Sequence, residues 1–103
     1  MENSQVSKKI IEEYVKLYDK KGKESFYKYI VGKAIISIDY NKYPENDLLN
    51  HSNYFFSMAR SQGDDKYFII GKILRRSAHK VYRALFAIDK DKPINSKFLN
   101  LLK

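Results

Sequence analysis

Apolar residues recur along this chain at steps of three and four, the spacing that gathers side chains on one face of an α-helix. Between Ser4 and Lys21 the stripe is Val6, Ile10, Tyr14, Leu17 and Tyr18, with Asn3 or Ser4 as N-cap and Gly22 as terminator. A second stripe, Phe26, Tyr27, Ile30, Ala34, Ile35 and Ile38, predicts a helix from Lys23 to about Asn41, ended by the Tyr43-Pro44 step. Its competitor is a strand over Ala34 to Tyr40, where Ile36, Ile38 and Tyr40 alternate with Ser37 and Asp39. The Ile-rich segment Tyr67 to Leu74 carries the same ambiguity.

Pro44, Glu45, Asn46 and Asp47 open a third helix, its acids near the positive end of the dipole. Leu48, Leu49, Phe55, Phe56 and Ala59 follow, and Ser61-Gln62-Gly63 closes it. Asp64 and Asp65 suit the first turn of a fourth, which continues to about residue 88. After the polar run Asp89-Lys90-Asp91-Lys92-Pro93, Asn95 or Ser96 caps a short terminal helix bearing Phe98, Leu99, Leu101 and Leu102. Short connections favour antiparallel neighbours, so the pattern predicts an all-α bundle of four to five helices in a single domain over residues 1–103.

The fourth helix is where pattern turns into chemistry. Wound at about 100° per residue, it gathers Ile70, Leu74, Ala78, Val81, Leu85 and Ile88 on one side and Lys72, Arg75, Arg76, His79, Lys80 and Arg83 on the other. From Lys66 to Ile88, six Lys or Arg stand without a single Asp or Glu. Such a helix docks by its apolar stripe and offers cations outward to something anionic, most economically the phosphate backbone of a nucleic acid.

Charge distribution sharpens this reading. The chain is +8 overall, but residues 44–65 are −3 and residues 66–88 are +6. Three of the four arginines (Arg75, Arg76 and Arg83) lie in that one segment of an otherwise Lys-rich chain, and arginine is the side chain suited to bidentate phosphate contacts. Nine Tyr and six Phe are more rings than a core of this size hides, so several Tyr are expected at its margin, where a ring can stack on a base or a protein partner.

Other chemistry finds little support. With no Cys there is no disulfide, thiolate nucleophile or Cys-ligated zinc, and an intracellular, cytoplasmic setting is expected. The first residues lack a signal-peptide pattern and no apolar run reaches membrane-spanning length. His51 and His79 are read as surface residues outside any metal or nucleophile spacing, with neighbouring Arg and Lys lowering the pKa of His79. Asp64-Asp65 and Asp89/Asp91 are explained by a helix start and a charged turn, not by the convergent carboxylates a metal-dependent nuclease needs. Gly22, Gly32, Gly63 and Gly71 form no phosphate-cradling loop. No catalytic residue, cofactor or metal is therefore expected.

A helix-turn-helix around Gly63 is disfavoured, because the leading end of the following helix carries Asp64, Asp65, Tyr67 and Phe68, which repel DNA or belong in a core. Cations in mid-helix, without Asn or Gln partners for adenine edges, suit tracking a backbone better than reading bases. The expectation is a sequence-independent nucleic-acid-binding subunit, single-stranded RNA or DNA favoured over duplex, joined to other subunits or to copies of itself. This picture is similar, at the level of architecture and through no residue motif, to the small helical subunits of multisubunit CRISPR effector complexes. The alternative is a non-enzymatic interaction module, such as a virus- or plasmid-encoded inhibitor, whose basic helix meets an acidic protein surface. Exposure of Ile73, Tyr82 and Phe86 beside the basic stripe would favour that alternative. Membrane binding is not favoured, since the apolar side of the helix is committed to the core.

Overall fold

The computed structural model describes residues 7–37, 41 and 43–88, with the side chains of 86–88 excepted. Within them the chain forms three helices, α1 (Lys8–Ile36), α2 (Pro44–Gln62) and α3 (Asp65–Ile88), and no strand. The all-helical class is as the periodicity predicts, whereas the number of helices differs from the four to five expected. The first two predicted helices are the two arms of α1, joined directly at Gly22. Gly22, with φ 81° and ψ 172°, ends the helical geometry of the first arm, as its reading as terminator predicts, and the second arm starts directly after it. That φ is accessible to glycine at no steric cost.

The bend is sharp. Tyr14 and Phe26 are twelve residues apart, about 18 Å along a straight helix, yet their ring centroids lie 6.2 Å apart, edge to face. Tyr18 meets Phe26 from the same side of the bend at 6.0 Å. The two arms of α1 therefore fold against each other, and rings from both join the core.

Local chemistry sets the ends. The cap of α1 is Ser7 rather than Asn3 or Ser4: its Oγ accepts the Ile10 backbone N–H at 3.2 Å, satisfying a donor of the first turn. The described helix runs to Ile36, after which Ser37 folds its hydroxyl back to donate to the Ala34 carbonyl at 2.7 Å; the rest of the span predicted to about Asn41 falls on residues 38–40, outside the described residues. The strand alternative fails for Ala34–Ile36 and for all of Tyr67–Leu74, which are helical; residues 38–40 lie outside the described residues. Pro44 begins α2. Gly63, left-handed at φ 64°, closes it with a 2.8 Å bond from its N–H to the Ala59 carbonyl. Asp64 Oδ1 then accepts the Lys66 N–H at 2.8 Å and starts α3. The expected terminal helix at Asn95 or Ser96 lies outside the described residues.

The core is where the apolar stripes meet. Ile70, Leu74, Ala78, Val81 and Leu85 are all fully buried, packed with Phe26, Ile30 and Ala34 of α1 and with Leu48, Leu49 and Phe55 of α2. Ile88, the last residue of that predicted stripe, has no described side chain. The tyrosines behave as their amphipathic character requires: all eight described ones are half-buried, seven of them packed against the core.

Where α2 and α3 cross, Gly71 faces Ser52 and Phe56. A β-carbon at Gly71 would stand 2.9 Å from the Phe56 ring and 3.3 Å from the Ser52 carbonyl oxygen, so the absent side chain sets the helix separation. The Ser52 hydroxyl uses that closeness to donate to the Gly71 carbonyl at 2.7 Å. Ser77, also buried, donates to the Ile73 carbonyl one turn back at 2.8 Å. Glu45 is completely buried at the second position of α2, a carboxylate in the field of the helix N-terminus.

Candidate nucleic-acid interface

With its apolar stripe committed to α1 and α2, α3 turns the opposite face outward. Lys72, Arg75, Arg76, Lys80 and Arg83 are exposed and His79 is half-buried. All six line one open trough of about 610 Å³, completed by three rings: Tyr27 from α1, Phe56 from α2 and Phe68 from α3 itself. Among the described residues no acidic side chain contributes to the lining. The six residues expected from the sequence are thus brought together; the rings are the addition.

The sixth base of the Lys66–Ile88 segment is elsewhere. Lys66 pairs with Asp19 at 3.1 Å, a bond that raises the lysine pKa and ties α3 to the first arm of α1. Of the five trough cations, Arg76 alone is ion-paired among the described residues, reaching Glu24 at 3.2 Å while its guanidinium lies 3.9 Å from the centroid of the Tyr27 ring. Both partners of that pair are more than half exposed, so its net stabilisation is small, about 0–1 kcal/mol. Arg76 is oriented by these contacts rather than neutralised. Lys72, Arg75, Lys80 and Arg83 form no ion pair with a described residue.

At one end of the trough the charge gives way to aromatic surface. Phe68 is 48% exposed, and its ring centroid lies 5.6 Å from that of Phe56 and 5.4 Å from the Lys72 ammonium. Of the two rings that the sequence assigns to a core, Tyr67 is half-buried against Phe55, at 5.8 Å, whereas Phe68 departs from that expectation and faces out. Consecutive residues on a helix sit about 100° apart, so the two rings point in different directions. Their position in the first turn does not reveal which of them faces out.

The two histidines are more enclosed than their reading as surface residues allows. The His79 pKa is lowered, first by burial and then by the cations of Arg75 and Arg83, the direction anticipated from its neighbours. His51, on α2, stands 2.5 Å through Nδ1 from the hydroxyl of Tyr14, and burial lowers its pKa against the opposing pull of Asp47. Burial raises the Tyr14 pKa well above the ordinary phenol value, with Asp47 and Glu13 adding to the effect, so the hydroxyl keeps its proton at neutral pH. This pair occupies a second depression of about 430 Å³, between the arms of α1 and α2, walled by Ile10, Leu17, Ile30 and Leu48. Spacing along the chain gave no sign of it, because Tyr14 and His51 are joined only by the fold.

Among the described residues no three His, Asp or Glu converge as metal ligands do, and no helix is long and apolar enough to cross a membrane. Comparison with protein-family models, curated proteins and solved structures finds no match to this chain.

Proposed function

We propose that the trough on α3 binds the phosphate backbone of a nucleic acid without reading its sequence. The observation carrying this reading is that five exposed cations and a histidine line one trough with no carboxylate of the described residues among them. Three of those cations are arginines, whose planar forks match phosphate oxygens. The side chains follow one another over roughly three turns of a straight helix, a row suited to successive phosphates of a strand. If about four phosphates are neutralised, log K falls against log salt with a slope of roughly −3 to −4. Binding by a single copy is then weak, and it becomes useful by repetition along a strand in a larger nucleoprotein assembly. The small helical subunits of multisubunit CRISPR effector complexes are one setting of that kind.

The alternative, an acidic protein partner, loses one of its expected supports. Ile73, which that reading needs on the surface, is buried, and Tyr82 is half-buried. The side chain of Phe86 lies outside the described residues.

Fluorescence anisotropy with single-stranded RNA, single-stranded DNA and duplex DNA of equal length, each at about 50 and 200 mM salt, tests the proposal. Binding that weakens steeply with salt supports it. No binding to any of the three at low salt overturns it and leaves the protein partner.

A further inference from the structure

The trough contains more than charge, and its rings are not equivalent. The Arg76 guanidinium lies over the Tyr27 ring at 3.9 Å. Phe56 is half-buried, its ring tilted at 53° to that of Phe68 with the centroids 5.6 Å apart. Phe68 is the ring that remains largely open, a large apolar side chain 48% exposed on a domain whose other described phenylalanines are buried or half-buried. It stands at the head of the cationic row: Phe68, Lys72, Arg75, His79 and Arg83 succeed one another at steps of three and four, so they share a face of the helix.

We infer that Phe68 is a stacking platform for an unpaired base, which makes a single strand, not a duplex, the ligand of the trough. This inference rests on the phosphate-binding reading. A nucleotide carries an anion and an aromatic face on one short frame, and the pair Lys72 and Phe68 offers the complement of each within 5.4 Å. Lys72 is exposed on a flexible stem and can turn from the ring to a phosphate, leaving a ring face to the base. Asp64 and Asp65 lie just ahead of Phe68 and repel phosphate, so an uncharged contact with a base suits this end better than another cation–phosphate pair. In a duplex the base faces are covered by their neighbours, and the exposed ring would find nothing to stack on. Rings set into a positive groove are how single strands are held without sequence preference.

The test separates ring from charge. The chain has no Trp, so a Phe68→Trp variant carries the one indole, and its fluorescence reports on that site alone. It is titrated with an oligothymidylate decamer and with an abasic deoxyribose-phosphate decamer of the same charge; the parent chain, Phe68→Ala and Phe68→Leu are titrated with both by competition. The expected result is quenching by the oligothymidylate but not by the abasic strand, with the parent preferring the former by about 5- to 10-fold or more. Phe68→Ala and Phe68→Leu lose that preference while binding the abasic strand as the parent does. Phe68→Leu keeps apolar bulk against Phe56, so a loss there reflects the missing ring and not a folding defect. Equal affinity of the parent for both decamers, with no quenching, overturns the stacking role and leaves phosphate binding standing. Failure to bind either decamer overturns both readings.

Discussion

Ser52 of α2 donates its hydroxyl to the carbonyl of Gly71 in α3 at 2.7 Å, across a crossing so close that any side chain at Gly71 would meet the Phe56 ring. Gly71 is the point at which the basic helix is seated. An alanine there gains helix propensity, about 1 kcal/mol, but introduces a β-carbon 2.9 Å from Phe56, an overpacking that costs about 1–3 kcal/mol. Gly71→Ala is therefore expected to lower stability, by up to about 2 kcal/mol, in urea denaturation. In a Phe56→Ala background the closer obstruction is gone and only the Ser52 carbonyl at 3.3 Å remains, so the same change is expected to cost less than it does beside the ring. An equal penalty in both backgrounds would show that the ring is not what excludes a side chain.

Leu74 and Leu85 sit on the buried side of α3 with no exposed surface. Leu74→Ala and Leu85→Ala are each expected to cost about 2–5 kcal/mol, from lost transfer energy and the cavity left behind. Unchanged thermal melting in both variants would contradict the burial of this face.

The arginines of the trough divide by their contacts. Arg75 and Arg83 are exposed and ion-paired with no described residue, so Arg75→Glu and Arg83→Glu are expected to leave stability within about 0.5 kcal/mol while weakening nucleic-acid binding. Arg76→Glu has a second effect, because it places a carboxylate opposite Glu24 and removes the cation over Tyr27. A loss of about 1 kcal/mol is expected in addition to weaker binding. Chemical denaturation beside anisotropy measures the two effects separately.

Stability should respond to mild acid through the histidines. His51 and His79 both have pKa values below the ordinary 6.5, His51 through burial and His79 through burial and then Arg75 and Arg83. A base whose pKa is lower in the folded chain binds more protons when unfolded, so unfolding gains as pH falls. Their contribution is whole above about pH 6.5 and is lost as pH drops through that value towards the folded pKa values. The melting temperature is expected to fall between pH 7.5 and 5.5, and His51→Gln, which removes the proton-binding ring, is expected to flatten the profile. An identical slope in that variant would mean that His51 is not linked to folding in this range.

Local features were legible in the order of the residues. The all-helical class, the buried stripe from Ile70 to Leu85, the opposing basic row, the Gly63 cap and the Asp64 start all follow from spacing, dihedral preference and capping chemistry within a few residues. What joins distant parts of the chain was decided by the tertiary structure alone. Gly22 was legible as a break in helical geometry, but that α1 folds back on itself depends on Phe26 finding Tyr14 and Tyr18. The withdrawal of Lys66 to Asp19, the enclosure of His51 against Tyr14 and the arrival of Tyr27 and Phe56 beside the cations are contacts between separate elements. A helical wheel fixes which side chains share a face. Whether Phe68 or Tyr67 takes the outward place, and which foreign ring lies beside it, is set by how three helices pack, and that is where the trough acquired its aromatic end.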